Sequence, residues 1–354
     1  MKPFRVIDTG TRDCRAQMAF DQALIEGHKA GTTPDTLRFL TFEPSVLVGR
    51  HQAIGQELHL DACRAAGVGI GRRVTGGGAL YLDAGQFGWE LVFHQSTLGL
   101  SSLSDVAAAL CEAAAAGLAR LGIPARYRPR NDIEVEGRKI SGTGGFFDGT
   151  TIFYQGTVLY DMDGARMASL LNIPAAKLAK RGQTSGAERV VTLTQLFDGA
   201  PPPVAAVKQA LIDGFAERLG ISALWGAITA EEEAAAARIH DEEIGTDAFV
   251  YEIDAPGGAE VLTGSHTGPG GTVTAHLRLE GPRQDRLREI LLTGDFFVAP
   301  PATVMNLEAA LRGISVEDVG TAVESFFAQA KPGLLSVTPA DFTTAIQAAL
   351  APAP

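Results

Sequence analysis

Cysteine is scarce in this chain: Cys14, Cys63 and Cys111 are the only three among 354 residues. An odd, low number at spacings that no metal motif uses excludes a disulfide framework and a zinc centre, and it points to a reducing compartment. No stretch of about 18 consecutive apolar residues occurs, so no membrane-spanning helix is expected. The opening MKPFRVIDTG lacks the apolar centre of a secretory signal, and a cytoplasmic location is the expectation. Basic residues are in deficit, with 30 Lys and Arg against 41 Asp and Glu and a net charge of −11. That balance argues against a general nucleic-acid binder. Any anion site must therefore be a local basic cluster, for which Arg126, Arg128, Arg130, Arg138 and Lys139 are candidates, with Arg72 and Arg73 facing them.

What remains is an ordinary globular composition, 45% hydrophobic and 20% charged, long enough for one large domain or two smaller ones. Asn131-Asp132 leads into a short strand, Ile133 to Val135, and Glu136-Gly137 is a two-residue turn of the hairpin-closing kind. The return strand, Arg138 to Ser141, carries Arg138 and Lys139 on opposite faces if alternation is regular. Glycines follow, where backbone approaches a ligand closely. A second stretch, Arg72-Arg73-Val74-Thr75-Gly76-Gly77-Gly78-Ala79, places two arginines before three bare amides that form an anion nest. Alone, each has a plainer reading: a solvated edge lysine, and a flexible glycine loop.

Together, in this order, the two stretches resemble the motifs of the lipoate–protein ligase A family, Arg-Arg-x-Ser/Thr-Gly-Gly-Gly and Asn-Asp-…-Gly-Arg-Lys-(Ile/Val)-Ser-Gly. Gly49-Arg50-His51-Gln52, Gly156-Thr157-Val158-Leu159 and Arg189-Val190-Val191-Thr192-Leu193 add to the match. The resemblance runs from about residue 5 to the end and is densest over 45–200. It implies the biotin/lipoyl ligase fold. It also implies Lys139 as the essential lysine at the acyl carbonyl and phosphate, and Arg73 with Gly76, Gly77 and Gly78 as an adenylate cradle. Asn131 and Asp132 would lie near the nucleotide, Asp132 helping to hold Mg²⁺. Arg72, Thr75, Ala79, Asp83, Ser141, Gly142, Gly156 and Thr157 complete the implied substrate set. Departures are Leu82-Asp83 for His-Asp, Gly85-Gln86 for Gly-Asn, Gln52-Ala53 for Gln-Asn, and Tyr154-Gln155-Gly156-Thr157 for His-His-Gly-Thr. Ser185-Gly186-Ala187-Glu188-Arg189-Val190 lacks one arginine of the family's loop.

In chain order, the pattern predicts strands at Phe4–Ile7, Leu37–Phe42 and Val46–Val48 and a helix over 11–30. Leu60 to Ala66 reads as a short helix, and His51 as a surface histidine. Ala79–Leu82 and Trp89–Phe93 read as strands paired around Asp83-Ala84-Gly85, with Trp89 and Phe93 in the core. Ser104 caps a helix to Leu121. Asp148-Gly149 turns between Gly145-Phe146-Phe147 and Thr151–Tyr160. Helices follow near 166–180, 204–219 and 229–240. Hairpins dominate the centre, so the expectation is α+β with a mixed, largely antiparallel sheet flanked by helices. From about Asp254, Pro/Gly breaks and new strands and helices mark a change. The expected division is a catalytic domain over 1–245 and a small α+β accessory domain over 255–354, with a frayed Ala-Pro-Ala-Pro end.

Joining a carboxylic acid to a lysine at neutral pH requires activation, and a mixed anhydride with AMP supplies it. Holding a carboxylate against a phosphate requires cations and N–H donors aimed at the developing charge. The expected function is thus an ATP-dependent ligase that activates lipoate or octanoate as acyl-AMP and transfers it to an acceptor lysine. By resemblance the cofactors are ATP and Mg²⁺. The acceptor is a lipoyl-domain protein: a dehydrogenase E2, a glycine-cleavage H protein or a specialised carrier. Competing readings are an ATP-independent octanoyl or lipoyl transferase, a biotin–protein ligase and a non-catalytic acyl-adenylate-binding protein. No cysteine occurs between Gly122 and Arg138, ahead of Lys139, and the three present lie in helical segments.

Overall fold

The computed structural model describes residues 1–129, 131–172 and 189–351. The expected helix from 166 and the loop from Lys180 lie largely outside these residues, as do Arg130, Ser185 to Glu188 and the final residues. The strands are β1 (Lys2–Arg12), β2 (Thr36–Phe42), β3 (Ser45–Val48), β4 (Gly69–Arg72), β5 (Leu80–Leu82), β6 (Gln86–His94), β7 (Arg126–Arg128), β8 (Asp132–Val135), β9 (Arg138–Asp148), β10 (Thr151–Leu159), β11 (Ile221–Trp225), β12 (Leu262–Gly268), β13 (Gly271–Glu280), β14 (Arg286–Gly294), β15 (Val298–Ala299) and β16 (Gly333–Leu334). The longer helices are α1 (Cys14–Lys29), α2 (Leu103–Ala119), α3 (Val204–Leu219), α4 (Ala230–Ile239), α5 (Ala302–Leu311), α6 (Val319–Ala330) and α7 (Pro339–Leu350).

Eight strands form the main sheet in the order β11-β1-β2-β6-β10-β9-β8-β7. Its β1–β11 and β1–β2 junctions are parallel, and the others are antiparallel. The architecture is the expected α+β arrangement, a large and mostly antiparallel sheet flanked by helices. One face packs under α2 and α3 through Phe39, Trp89, Phe93 and Tyr154. The other carries α1 through Leu40, Val92, Phe146 and Phe153. Asp13 accepts from the amides of Arg15 and Ala16 and so starts α1. A buried ion cluster ties α1 to the sheet: Arg38 on β2 bonds Asp21 of α1 and Glu90 of β6. Burial and the neighbouring Glu90 push the Asp21 carboxyl well above the usual range.

A second sheet, β4-β3-β5, stands beside the first. β5 pairs with β3, and β6 pairs with β2 and β10. The expected β5–β6 hairpin is therefore not formed: the chain leaves one sheet at Asp83 and enters the other at Gln86. Ser102, not Ser104, caps α2, accepting from the Asp105 amide. β9 also runs past Ser141 through all its glycines to Asp148, because pairing with β10 satisfies their backbone.

Beyond residue 255, β12, β13 and β14 make an antiparallel sheet covered by α5, α6 and α7. α7 was not anticipated; its Phe342, Ala345, Ile346 and Ala349 are buried in a cluster of C-terminal residues only. Phe296 belongs to that cluster, whereas its neighbour Phe297 belongs to the core of the main sheet.

Candidate active site

Glu136 and Gly137 both have positive φ, 50° and 77°, as a two-residue I′ hairpin turn requires. The return strand then carries one extra residue: Glu134 pairs with Lys139, but Ile133 pairs with Ser141. This bulge reverses the side-chain parity. Without it, Lys139 would share a face with Ser141 and Thr143. With it, Lys139 shares the face of Gly142, which pairs with Asp132. A Cβ on Gly142 would lie 2.6 Å from the Cε and Nζ of Lys139, so the bare glycine lets the lysine lie across the strand. Lys139 Nζ is 2.7 Å from Asp132 Oδ1, and Lys139 O accepts from the Val191 amide.

Asp132 takes a second cation on its other oxygen, Arg128 Nη2 at 2.7 Å. A carboxylate with each oxygen on a cation does not fit the expected magnesium role, and among the described residues no cluster of three metal-ligating side chains exists. Asn131 is turned to the strand: its Nδ2 donates to Thr143 O at 2.9 Å, and its own carbonyl accepts from Thr143. Behind β9, Thr143, Tyr154 and Cys111 form a buried hydrogen-bonded cluster.

The two arginines of the glycine motif do not face the basic hairpin. Arg72 is buried, and its guanidinium donates to the carbonyls of Gly49, Arg50, Gln52, Val250 and Ile253. Burial pushes its pKa down to about 10, and it acts as a tie between loops. Arg73 donates to Leu47, Gly76 and Gly78 carbonyls. Among the described residues no acceptor takes the N–H of Gly76, Gly77 or Gly78, and the space above Gly78 is open. Gly76 packs against the Phe296 carbonyl, and Gly77 is buried against the Phe297 ring. Gly49 is needed for close approach, since a side chain there would strike Gly77 O.

Thr75 is buried and its hydroxyl accepts from Gln155 Nε2 at 2.8 Å, which joins the glycine loop to the main sheet. Ala79 is partly exposed beside the loop. Asp83 serves the turn, accepting from Tyr81 Oη and the Gly85 amide. Thr157 shares the Lys139 face and accepts from the Gly142 amide at 3.4 Å. Gly156 is on the opposite face, where it makes room for the Trp89 ring. Ser141 is buried, and its hydroxyl has no hydrogen-bond partner among the described residues. The structure thus brings together Lys139, Gly142 and Thr157, with the Thr75–Gly78 loop reached through Gln155, and leaves Arg72, Asn131 and Gly156 in structural positions.

Three residues of this region were not singled out. Gln86 has a buried Nε2 without a partner among the described residues, and it pairs with Leu159, two residues beyond Thr157. Gln155 bridges the sheets. Phe297 packs against Gly77 and Gly144. The first two stand at departures from the family pattern, which was their only signal. His51 is not at the surface: it is buried and stacks on Phe296 at 5.1 Å, and burial pushes its pKa down to about 3. All three cysteines are buried. Burial pushes Cys14 and Cys111 up to about 11 and raises Cys63, so none is a ready thiolate. Among the described residues no helix is long and apolar enough to cross a membrane.

Known proteins resemble this arrangement. Octanoyltransferase LipM of Kyrpidia tusciae is 30% identical over 263 residues, 68% of this chain and 95% of its own. A structure of the bipartite lipoate protein ligase and its E2 lipoyl domain from Thermoplasma acidophilum is 27% identical with a TM-score of 0.63, covering 73% of this chain and 99% of that one. A lipoate-protein ligase A bound with ATP is 25% identical with a TM-score of 0.61, covering 71% and 99%. Residues 13–216 match the model of the lipoyl protein ligase A/B catalytic domain, and the chain belongs to that family.

Proposed function

We propose that this protein activates lipoate or octanoate with ATP and passes the acyl group to a lysine of a lipoyl-domain acceptor. The carboxylate oxygen attacks the α-phosphorus of ATP and pyrophosphate leaves. The acceptor amine then attacks the acyl carbon, AMP leaves and the amine loses a proton. Lys139 offers a movable cation to the carbonyl and phosphate oxygens, and the Gly76–Gly78 amides offer neutral donors. Support for ATP comes from the ATP-bound ligase relative, and support for an E2-type acceptor from the archaeal relative.

The observation that carries the ligase reading over thioester transfer is the burial of every cysteine, each with its thiol pKa raised. The second reading, octanoyl transfer from an acylated carrier, is favoured by the LipM relative. Pyrophosphate release with free lipoate, octanoate or biotin, set beside transfer from an acylated carrier without ATP, separates the two. Carrier transfer alone would overturn the ligase reading. We further propose that residues 1–245 are the catalytic unit and residues from 255 an accessory one, on the strength of the separate C-terminal core.

A further inference from the structure

We propose that the Phe297 side chain fills the acyl-chain slot of the resting protein, so that it controls entry of the substrate and its permitted length. The inference rests on the acyl-binding reading above. Phe296 and Phe297 divide between two cores, as adjacent side chains of an extended segment do. Phe296 is anchored in the C-terminal core, edge-on to Phe342 at 5.1 Å and stacked on His51. Phe297 leaves that core and enters the catalytic one.

The tip of its ring lies against two bare backbones. A Cβ on Gly77 would sit 2.9 Å from the ring's Cζ, and a Cβ on Gly144 would fall inside van der Waals contact with Cε1. One side of the slot is therefore the Gly76–Gly78 loop, and another is the strand that carries Lys139. Gly142 and Gly144 are on one face of β9. Lys139 lies over the first and Phe297 over the second, one strand repeat apart. Gln155, which pairs with Gly144, closes the flank through its bond to Thr75.

A carboxylic acid whose carboxylate meets Lys139 must run its chain along this glycine stripe. The next position on the stripe is the one the ring holds. Gly77 and Gly144 lack side chains where the ring tip sits, which leaves a narrow space the width of a polymethylene chain. Phe297 stands in for that chain, and its removal from the slot accompanies substrate entry. The apparent affinity for an acyl acid is then reduced by the fraction of molecules whose slot is open.

The test is equilibrium binding of octanoate, lipoate and dodecanoate to the full chain by titration calorimetry. Wild type is compared with Phe297→Ala and with Phe297→Leu, the second keeping an apolar side chain in the core, and the fold of each is checked by circular dichroism. Octanoate should bind the Leu variant more tightly than wild type. It should bind the Ala variant tighter still, by about tenfold, and the Ala variant should gain dodecanoate binding. Wild-type affinities and chain-length limits in both folded variants would overturn the proposal while leaving the acyl-binding reading in place. Absence of any acyl binding by wild type and variants would overturn that reading, and this inference with it.

Discussion

Lys139 Nζ and Asp132 Oδ1 are 2.7 Å apart across the hairpin, on the face that the bulge exposes. The carboxylate is shared with Arg128, so Lys139 is held in place, yet it is still about a third exposed. Lys139→Ala should lower lipoate-dependent pyrophosphate release by at least about 100-fold, with an unchanged circular dichroism spectrum. Near-normal release from the folded variant would remove Lys139 from the chemistry.

A variant with Cys14, Cys63 and Cys111 replaced by alanine should keep its ATP-dependent activity and form no acyl adduct detectable by intact mass. An acyl group on any single-cysteine variant would instead assign a thioester step.

Arg72→Met leaves five carbonyls, four of them buried, without their shared donor. It should cost at least about 3 kcal/mol and lower the melting temperature by roughly 5 °C. A melting temperature within the wild-type error would contradict the tie between loops described above.

Glu308 on α5 is pushed up to about 7, by burial first. The folded state holds its proton where the unfolded chain, with a pKa near 4.5, has released it. Its contribution to stability is complete below about pH 4.5 and is lost as pH rises through 7. For a half-buried group the loss is on the order of 2 kcal/mol. Denaturant melts at pH 5 and pH 8 should show Glu308→Gln to be less pH-dependent than wild type; identical slopes would refute this.

Limited proteolysis should cut the segment at residues 255–261, whose residues 257–260 are exposed, and yield two folded pieces. They should stay associated through Phe297 and Ala299, which belong to the cores of the catalytic side. A chain that resists cutting there, or cuts first inside the main sheet, would contradict the proposed division.

Local chemistry made much of the fold legible. The Glu136-Gly137 turn needs two residues at positive φ, and Asp148-Gly149 marks the next hairpin, so the antiparallel centre could be read from the chain. The burial of Trp89 and Phe93 was legible as well, because strand alternation places them on one apolar face.

Other features depended on partners far away in sequence. The parity of Lys139 is set by one extra residue in β9, which is visible only once Ile133 is paired with Ser141. Whether Arg72 meets an anion or a ring of carbonyls was decided by Val250 and Ile253, some 180 residues onward. The pairing of β5 with β3 rather than β6 followed from a second sheet that no local signal announced. Alternation and turn geometry act over a few residues, and sequence alone determined what they govern. Burial, pairing partners and the contents of the slot beside Lys139 belong to contacts between distant segments, and only the tertiary structure decided them.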